Sequence, residues 1–218
     1  MKNKKRGIAA AIYCGSCTKI ECSKGYPEGA PEWCAASGHR DIIEQTKTRY
    51  AEPGNLKIYL ASGKVVREGY GIWPRVQEAI EFAKELKLSK IGFASCISLI
   101  SELRLVTHLF TGAGFEVVSS ACQIGRVSPE ARGLSKDITD HRGLTCNPIA
   151  QAEICNNAGT QLNYILGLCL GHDILFMRNS RAPVSVLIVK DRVTGHNPAA
   201  ALYAEHLRRS LLSQYCGK

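Results

Sequence analysis

A small parallel sheet with flanking helices, an α/β domain preceded by a cysteine-rich segment, is the fold class that the sequence predicts. Three observations predict it. From Trp73 onward, short apolar runs alternate with stretches of helical period, the pattern of strands joined by crossover helices. With 45% hydrophobic residues in 218, the chain can build a sizeable core, which excludes a disordered protein. Four of the ten cysteines crowd into residues 14–34 among Gly, Pro and Ser, where no large core can form. The expected division is therefore a cysteine-rich metal-binding segment over residues 1–70 and an α/β domain over residues 71–218.

Each element has its own signal. Residues 35–72 are mixed, with one strand expected around Lys57 to Leu60. Pro74 is a start signal for a helix over Arg75 to Leu88, which sets Val76, Ala79, Ile80, Ala83 and Leu86 on one face. Lys90–Ser95 reads as a buried strand, Ile97–Thr111 as a helix closed by Gly112 and Gly114, and Phe115–Ser119 as a second strand. Gln123–Thr145 has four Gly or Pro residues and no periodicity, and is expected to be a long functional loop. Asn147 as N-cap and Pro148 in the first turn open a helix over Ile149–Asn157. Asn163–Leu168 and Val184–Val189 are two more strands, joined by a helix near Ile174–Asn179, and a last helix covers Pro198–Gln214.

Charge narrows the function classes. The 28 basic and 19 acidic residues leave +9, but four of the positive charges are Lys2, Lys4, Lys5 and Arg6, a solvated tail. Aromatic residues make up 7%, without the stacking pattern of an RNA-binding sheet, so nucleic acid is not the expected partner. The basic start followed by Ile8–Tyr13 and Cys14 imitates a lipoprotein signal. Bulky Tyr13 stands where a small residue is needed, and the apolar run is short. No stretch nears the roughly 18 apolar residues of a membrane span. A soluble, cytoplasmic protein is expected, with no membrane partner.

Eight cysteines form two constellations. Cys14-x2-Cys17-x4-Cys22-x11-Cys34 has metal-ligand spacing, since a Cys-x2-Cys pair turns both sulfurs toward one ion. Zinc normally takes two short-spaced pairs and an iron-sulfur cluster accepts irregular spacing, so a 4Fe-4S cluster is expected, with zinc as the alternative. The second set is Cys96, Cys122, Cys146 and Cys169. Cys96, Cys122 and Cys169 follow predicted strands at their carboxyl ends, which line one edge of an open parallel sheet. Cys146 precedes a helix N-terminus, where a thiolate is favoured. A second cluster is expected there. His172, Asp173 and His196 are the candidate catalytic acid, base or fourth ligand, and Lys190, Arg192 and Asn197 are candidates for holding an anionic substrate. Cys155, within a helix, and Cys216, in the tail, have no assigned role.

Several long strings then resemble a known family. They are Cys14-x2-Cys17-x4-Cys22, Ile91-Gly92-Phe93-Ala94-Ser95-Cys96, Cys146-Asn147-Pro148-Ile149-Ala150-Gln151-Ala152-Glu153, Gly167-Leu168-Cys169-Leu170-Gly171-His172-Asp173, and Val189-Lys190-Asp191-Arg192 with Gly195-His196-Asn197-Pro198. Over nearly its whole length the chain resembles an uncharacterised family of cysteine-rich proteins, regarded as metal-binding and found mainly in anaerobic bacteria and archaea. The resemblance implies metal binding by the cysteines at 96, 122, 146 and 169, and names no reaction. The expected function is an iron-sulfur protein with two clusters that performs redox or sulfur-removal chemistry on a small molecule, such as a reductase or desulfidase. The alternatives are a non-catalytic electron-transfer or metal-carrier protein and a zinc-stabilised nucleic-acid-binding module.

Overall fold

Four short apolar segments pair side by side as strands: β1 (Lys90–Ser95), β2 (Glu116–Ala121), β3 (Leu162–Leu166) and β4 (Val184–Ile188). The computed structural model that contains them describes residues 14–18, 22, 25, 30–31, 33–125, 128–130, 133, 135 and 145–217. By its internal packing the chain divides into two units, Met1–Ser62 and Gly63–Lys218.

In the first unit, helices α1 (Ala35–Gly38) and α2 (Arg40–Lys47) lead through a 3-10 turn at Thr48–Ala51 into the start of α3 (Pro53–Gly69), whose residues from Gly63 onward belong to the second unit. The strand expected at Lys57–Leu60 is therefore absent, and those residues lie inside α3. Ile58 and Tyr59 favour strands locally, but Pro53 suits a first helical turn and the buried residues Ala61 and Val65 are spaced four apart, as on a helix face.

The second unit is the α/β domain. The sheet order is β2-β1-β3-β4 and every pairing is parallel. The connections are α4 (Arg75–Glu85) before β1, α5 (Ile100–Gly112), α6 (Pro148–Ala158) and α7 (His172–Asn179). The predicted C-terminal helix is two helices, α8 (Ala200–Tyr203) and α9 (Glu205–Cys216), because Ala204 between them is extended. Much of the expected loop Gln123–Thr145 lies outside the described residues. Among the described residues, no helix is long and apolar enough to cross a membrane.

Side chains alternate across the sheet, so each face has its own core. On one face Ile91 and Phe93 of β1 with Leu162, Tyr164 and Leu166 of β3 meet Ala79 and Ala83 of α4 and Leu103, Val106 and Phe110 of α5. Phe93 stands edge-on to Phe110 at 5.0 Å between ring centres. On the other face Ala94 and Ile165 meet Ala152 and Cys155 of α6 and Phe176 of α7. This second layer is thin at its centre. A Cβ on Gly92 would lie 1.9 Å from Asn163 Oδ1 and 2.9 Å from Cys155 Sγ, so only glycine lets α6 approach β1 there.

Candidate functional site

The strand order reverses direction between β1 and β3, the first of which pairs with β2 on its other side and the second with β4. In an open parallel sheet the carboxyl ends at such a switch leave a crevice, because the two connections depart to opposite sides. The residues just beyond those strands are the ones that the sequence singles out.

Cys96 follows β1 and is buried, its N–H donating to Leu166 O at 3.0 Å. It leads into a 3-10 turn at Ile97–Leu99, from which Ser98 Oγ donates to Cys96 Sγ at 3.3 Å. Cys122 follows β2 and is also buried, and its sulfur accepts from Ile97 N at 3.4 Å. Asn147 caps α6 by accepting from Ala150 N at 3.2 Å, as its position before Pro148 predicts. Its own N–H donates to Cys122 O at 2.7 Å. That bond brings the start of α6 beside the end of β2, and leaves the Cys146 and Cys122 sulfurs 3.5 Å apart. Cys169 lies beyond β3, half-buried, and accepts from Arg192 Nη2 at 3.3 Å.

The cations reach back from the end of β4. Lys190 Nζ donates to Ser98 Oγ at 2.6 Å, and passes Gly167, whose φ of +58° and closeness to Leu99 leave no room for a side chain. Arg192 has its pKa raised, first by its hydrogen bond to Cys169, with Cys96 and Cys146 adding attraction. Arg192 thus contacts Cys169 directly and lies within electrostatic range of Cys96 and Cys146. Pairing of the Cys96 thiol with Cys122, and then burial, push Cys96 up to about 12 from its ordinary 9.0. Sharing with Cys146 pushes Cys122 up as well.

The remaining candidates have definite places. Asp173 Oδ1 accepts from Gly171 N and Ile174 N, both at 2.8 Å, and so fastens the first turn of α7. His172 N–H donates to Cys169 O at 2.9 Å, while its buried Nδ1 takes no hydrogen bond among the described residues. His196 is left-handed at φ +69° and accepts from Asp191 N at Nδ1, and Asn197 N–H turns back to Thr194 O. Two contributors escaped the sequence reading. Ser98 joins Lys190 to Cys96, and its place two residues after a strand-end cysteine is the only signal for it. Gln151, fully buried one turn into α6, donates from Nε2 to Ser95 O at 3.2 Å and Ser120 O at 2.8 Å. It therefore holds the ends of β1 and β2 together beneath Cys96 and Cys122.

The geometry corrects the metal expectations. Among the described residues, no three or more His, Cys, Asp or Glu side chains gather where they could share one metal ion. This overturns the one or two 4Fe-4S clusters and the zinc alternative, and with them the iron-sulfur redox protein, the electron-transfer or metal-carrier protein and the zinc-stabilised nucleic-acid module. The ligands expected for those clusters were Cys14, Cys17, Cys22 and Cys34 at the first and Cys96, Cys122, Cys146 and Cys169 at the second. The physical reason at the sheet edge is that ligand sulfurs must be deprotonated and aimed at one point. Here Cys122 meets Cys146 while Cys169 turns to Arg192, so the sulfurs are not aimed at one point. Near the amino terminus, Cys14 and Cys22 are exposed and Cys17 and Cys34 only half-buried. Cys155, which has no assigned role by sequence, packs between α6 and the sheet, where burial raises it to about 11.

The chain is similar to the uncharacterized protein MJ0455 of the archaeon Methanocaldococcus jannaschii, with 37% identity over 199 residues that cover 91% of this chain and 97% of the relative. The profile of a family described as "Protein of unknown function (DUF1847)" matches residues 34–187, from Cys34 through all but the last residue of β4. On that match and that relative, the chain belongs to the DUF1847 family.

Proposed function

We propose that the carboxyl edge of the sheet is a small-molecule site in which an anionic ligand, received by Lys190 and Arg192, meets the half-buried thiols Cys146 and Cys169. The observation that carries this reading is the return of both cations over the switch between β1 and β3, to Ser98 and to Cys169. A guanidinium and an ammonium at a crevice mouth attract anions and raise their local concentration. Cys96 and Cys122, with raised pKa values, stay protonated and shape the floor, which leaves Cys146 and Cys169 as the nucleophiles. His172 stands one turn from Cys169 with Nδ1 unengaged and supplies the proton relay, while Asp173, His196 and Asn197 fix the loops that carry it.

Competitive alkylation tests this. Iodoacetate is an anion and iodoacetamide is its neutral counterpart, so their rate ratio at one thiol reports the local field. Cys216, exposed at the end of α9, is an internal reference within the same chain. The expected ratio at Cys146 and Cys169 exceeds that at Cys216 by about tenfold at low salt, and falls to the Cys216 value in Lys190→Ala/Arg192→Ala. Equal ratios at all three thiols in the unaltered chain overturn the proposal.

A further inference from the structure

We infer that Cys122 and Cys146 are a reversible oxidation site, a dithiol that closes to a disulfide when it meets a small-molecule disulfide. The inference goes beyond the anion site and needs neither of its cations. Neither residue is in a disulfide, and their sulfurs lie 3.5 Å apart. Bond formation asks for about 1.5 Å of further approach, given the ~2.05 Å length of a disulfide. The backbones are already neighbours, because Asn147 N donates to Cys122 O at 2.7 Å. That bond fixes the end of β2 beside the start of α6, so the two side chains belong to adjoining stretches of backbone.

The two thiols differ in the way that such a pair requires. Cys146 is half-buried and reachable, whereas Cys122 is 2% exposed and shielded from direct attack. Cys146 as thiolate attacks one sulfur of the reagent, breaks its S–S bond and releases one reagent thiol. Cys122, protonated at rest, passes its proton to the departing reagent sulfur as it attacks the Cys146 sulfur, and the second reagent thiol leaves. The protein dithiol loses two electrons and two protons, and the reagent disulfide gains both. The new bond would join the end of β2 directly to the start of α6 and close the chain between them into a loop.

Peptide mapping of the whole chain gives the test. The reduced protein is exposed to bis(2-hydroxyethyl) disulfide, quenched in acid, alkylated, digested and analysed by mass spectrometry. Among Cys96, Cys122, Cys146 and Cys169, the expected linked pair is Cys122–Cys146, in about tenfold excess over any other pairing and reversed by dithiothreitol. In Cys122→Ser the reagent should remain attached to Cys146, and in Cys146→Ser Cys122 should stay reduced. A Cys96–Cys122 link, or a persistent reagent adduct on Cys146 of the unaltered chain, overturns the inference. The reagent is neutral, so its reaction reads the Cys122–Cys146 pair and not the anion preference that the alkylation ratio reads.

Discussion

Cys96 illustrates how far a single residue is set by its surroundings. Its place after an apolar strand marks it as part of the sheet edge, and the sulfur does lie there. What it does there depends on Cys122 and on burial, which together hold its proton to about pH 12. A thiol whose pKa rises on folding binds its proton more tightly in the native state. Its contribution to stability is therefore whole below the ordinary 9.0 and is lost as pH rises toward 12. Cys155, raised to about 11 by burial, acts in the same direction over a lower range. Denaturant midpoints measured between about pH 8 and about pH 10.5 should fall for the unaltered protein and fall less for Cys96→Ser. A variant that loses as much as the parent would show that Cys96 does not carry the shift.

At the scale of an element, α6 organises the site. Its start is legible in the sequence, since Asn147-Pro148 reads as a cap and first turn and is one. Its inner face is not legible. Gln151 and Cys155 look like an ordinary amide and thiol of a helix, yet Gln151 bridges Ser95 O and Ser120 O, and Cys155 fills the space beside Gly92. Gln151→Ala removes the amide donor that two buried residues share and should cost about 3 kcal/mol of stability by denaturant titration. Gly92→Ala forces a methyl against Asn163 and Cys155 and should cost about 1–3 kcal/mol or more. If Gly92→Ala were neutral, the close approach of α6 to β1 would not be as drawn. The strand expected at Lys57–Leu60 failed for a related reason, because two β-favouring residues weigh less than the helical spacing of the buried positions around them.

For the α/β unit as a whole, the central strands decide the order of stability. β1 and β3 are each paired on both sides and covered on both faces, whereas β2 and β4 form the two edges. Native-state hydrogen exchange should therefore be slowest in Ile91–Ala94 and Asn163–Ile165 and faster in β4. Slower exchange in β4 than in β3 would contradict the strand order. The expected parallel sheet, its four strands and the helices between them were legible because burial on two faces and helical spacing leave strong local patterns. That Cys96, Cys122 and Cys169 come after the carboxyl ends of β1, β2 and β3 was legible too, since each follows an apolar run.

Which way those sulfurs turn was not. A cysteine at a strand end is compatible with a metal ligand, a buried thiol or a nucleophile, and the difference lies in which neighbour reaches it first. The sequence by itself determined the α/β architecture and the strand ends after which Cys96, Cys122 and Cys169 come, because both follow from periodicity along the chain. Only the tertiary structure decided that Cys122 faces Cys146 and that Arg192 and Lys190 fold back over Cys169 and Ser98. Those partners are brought together by packing between segments distant in the chain, and no local pattern encodes the distance between them.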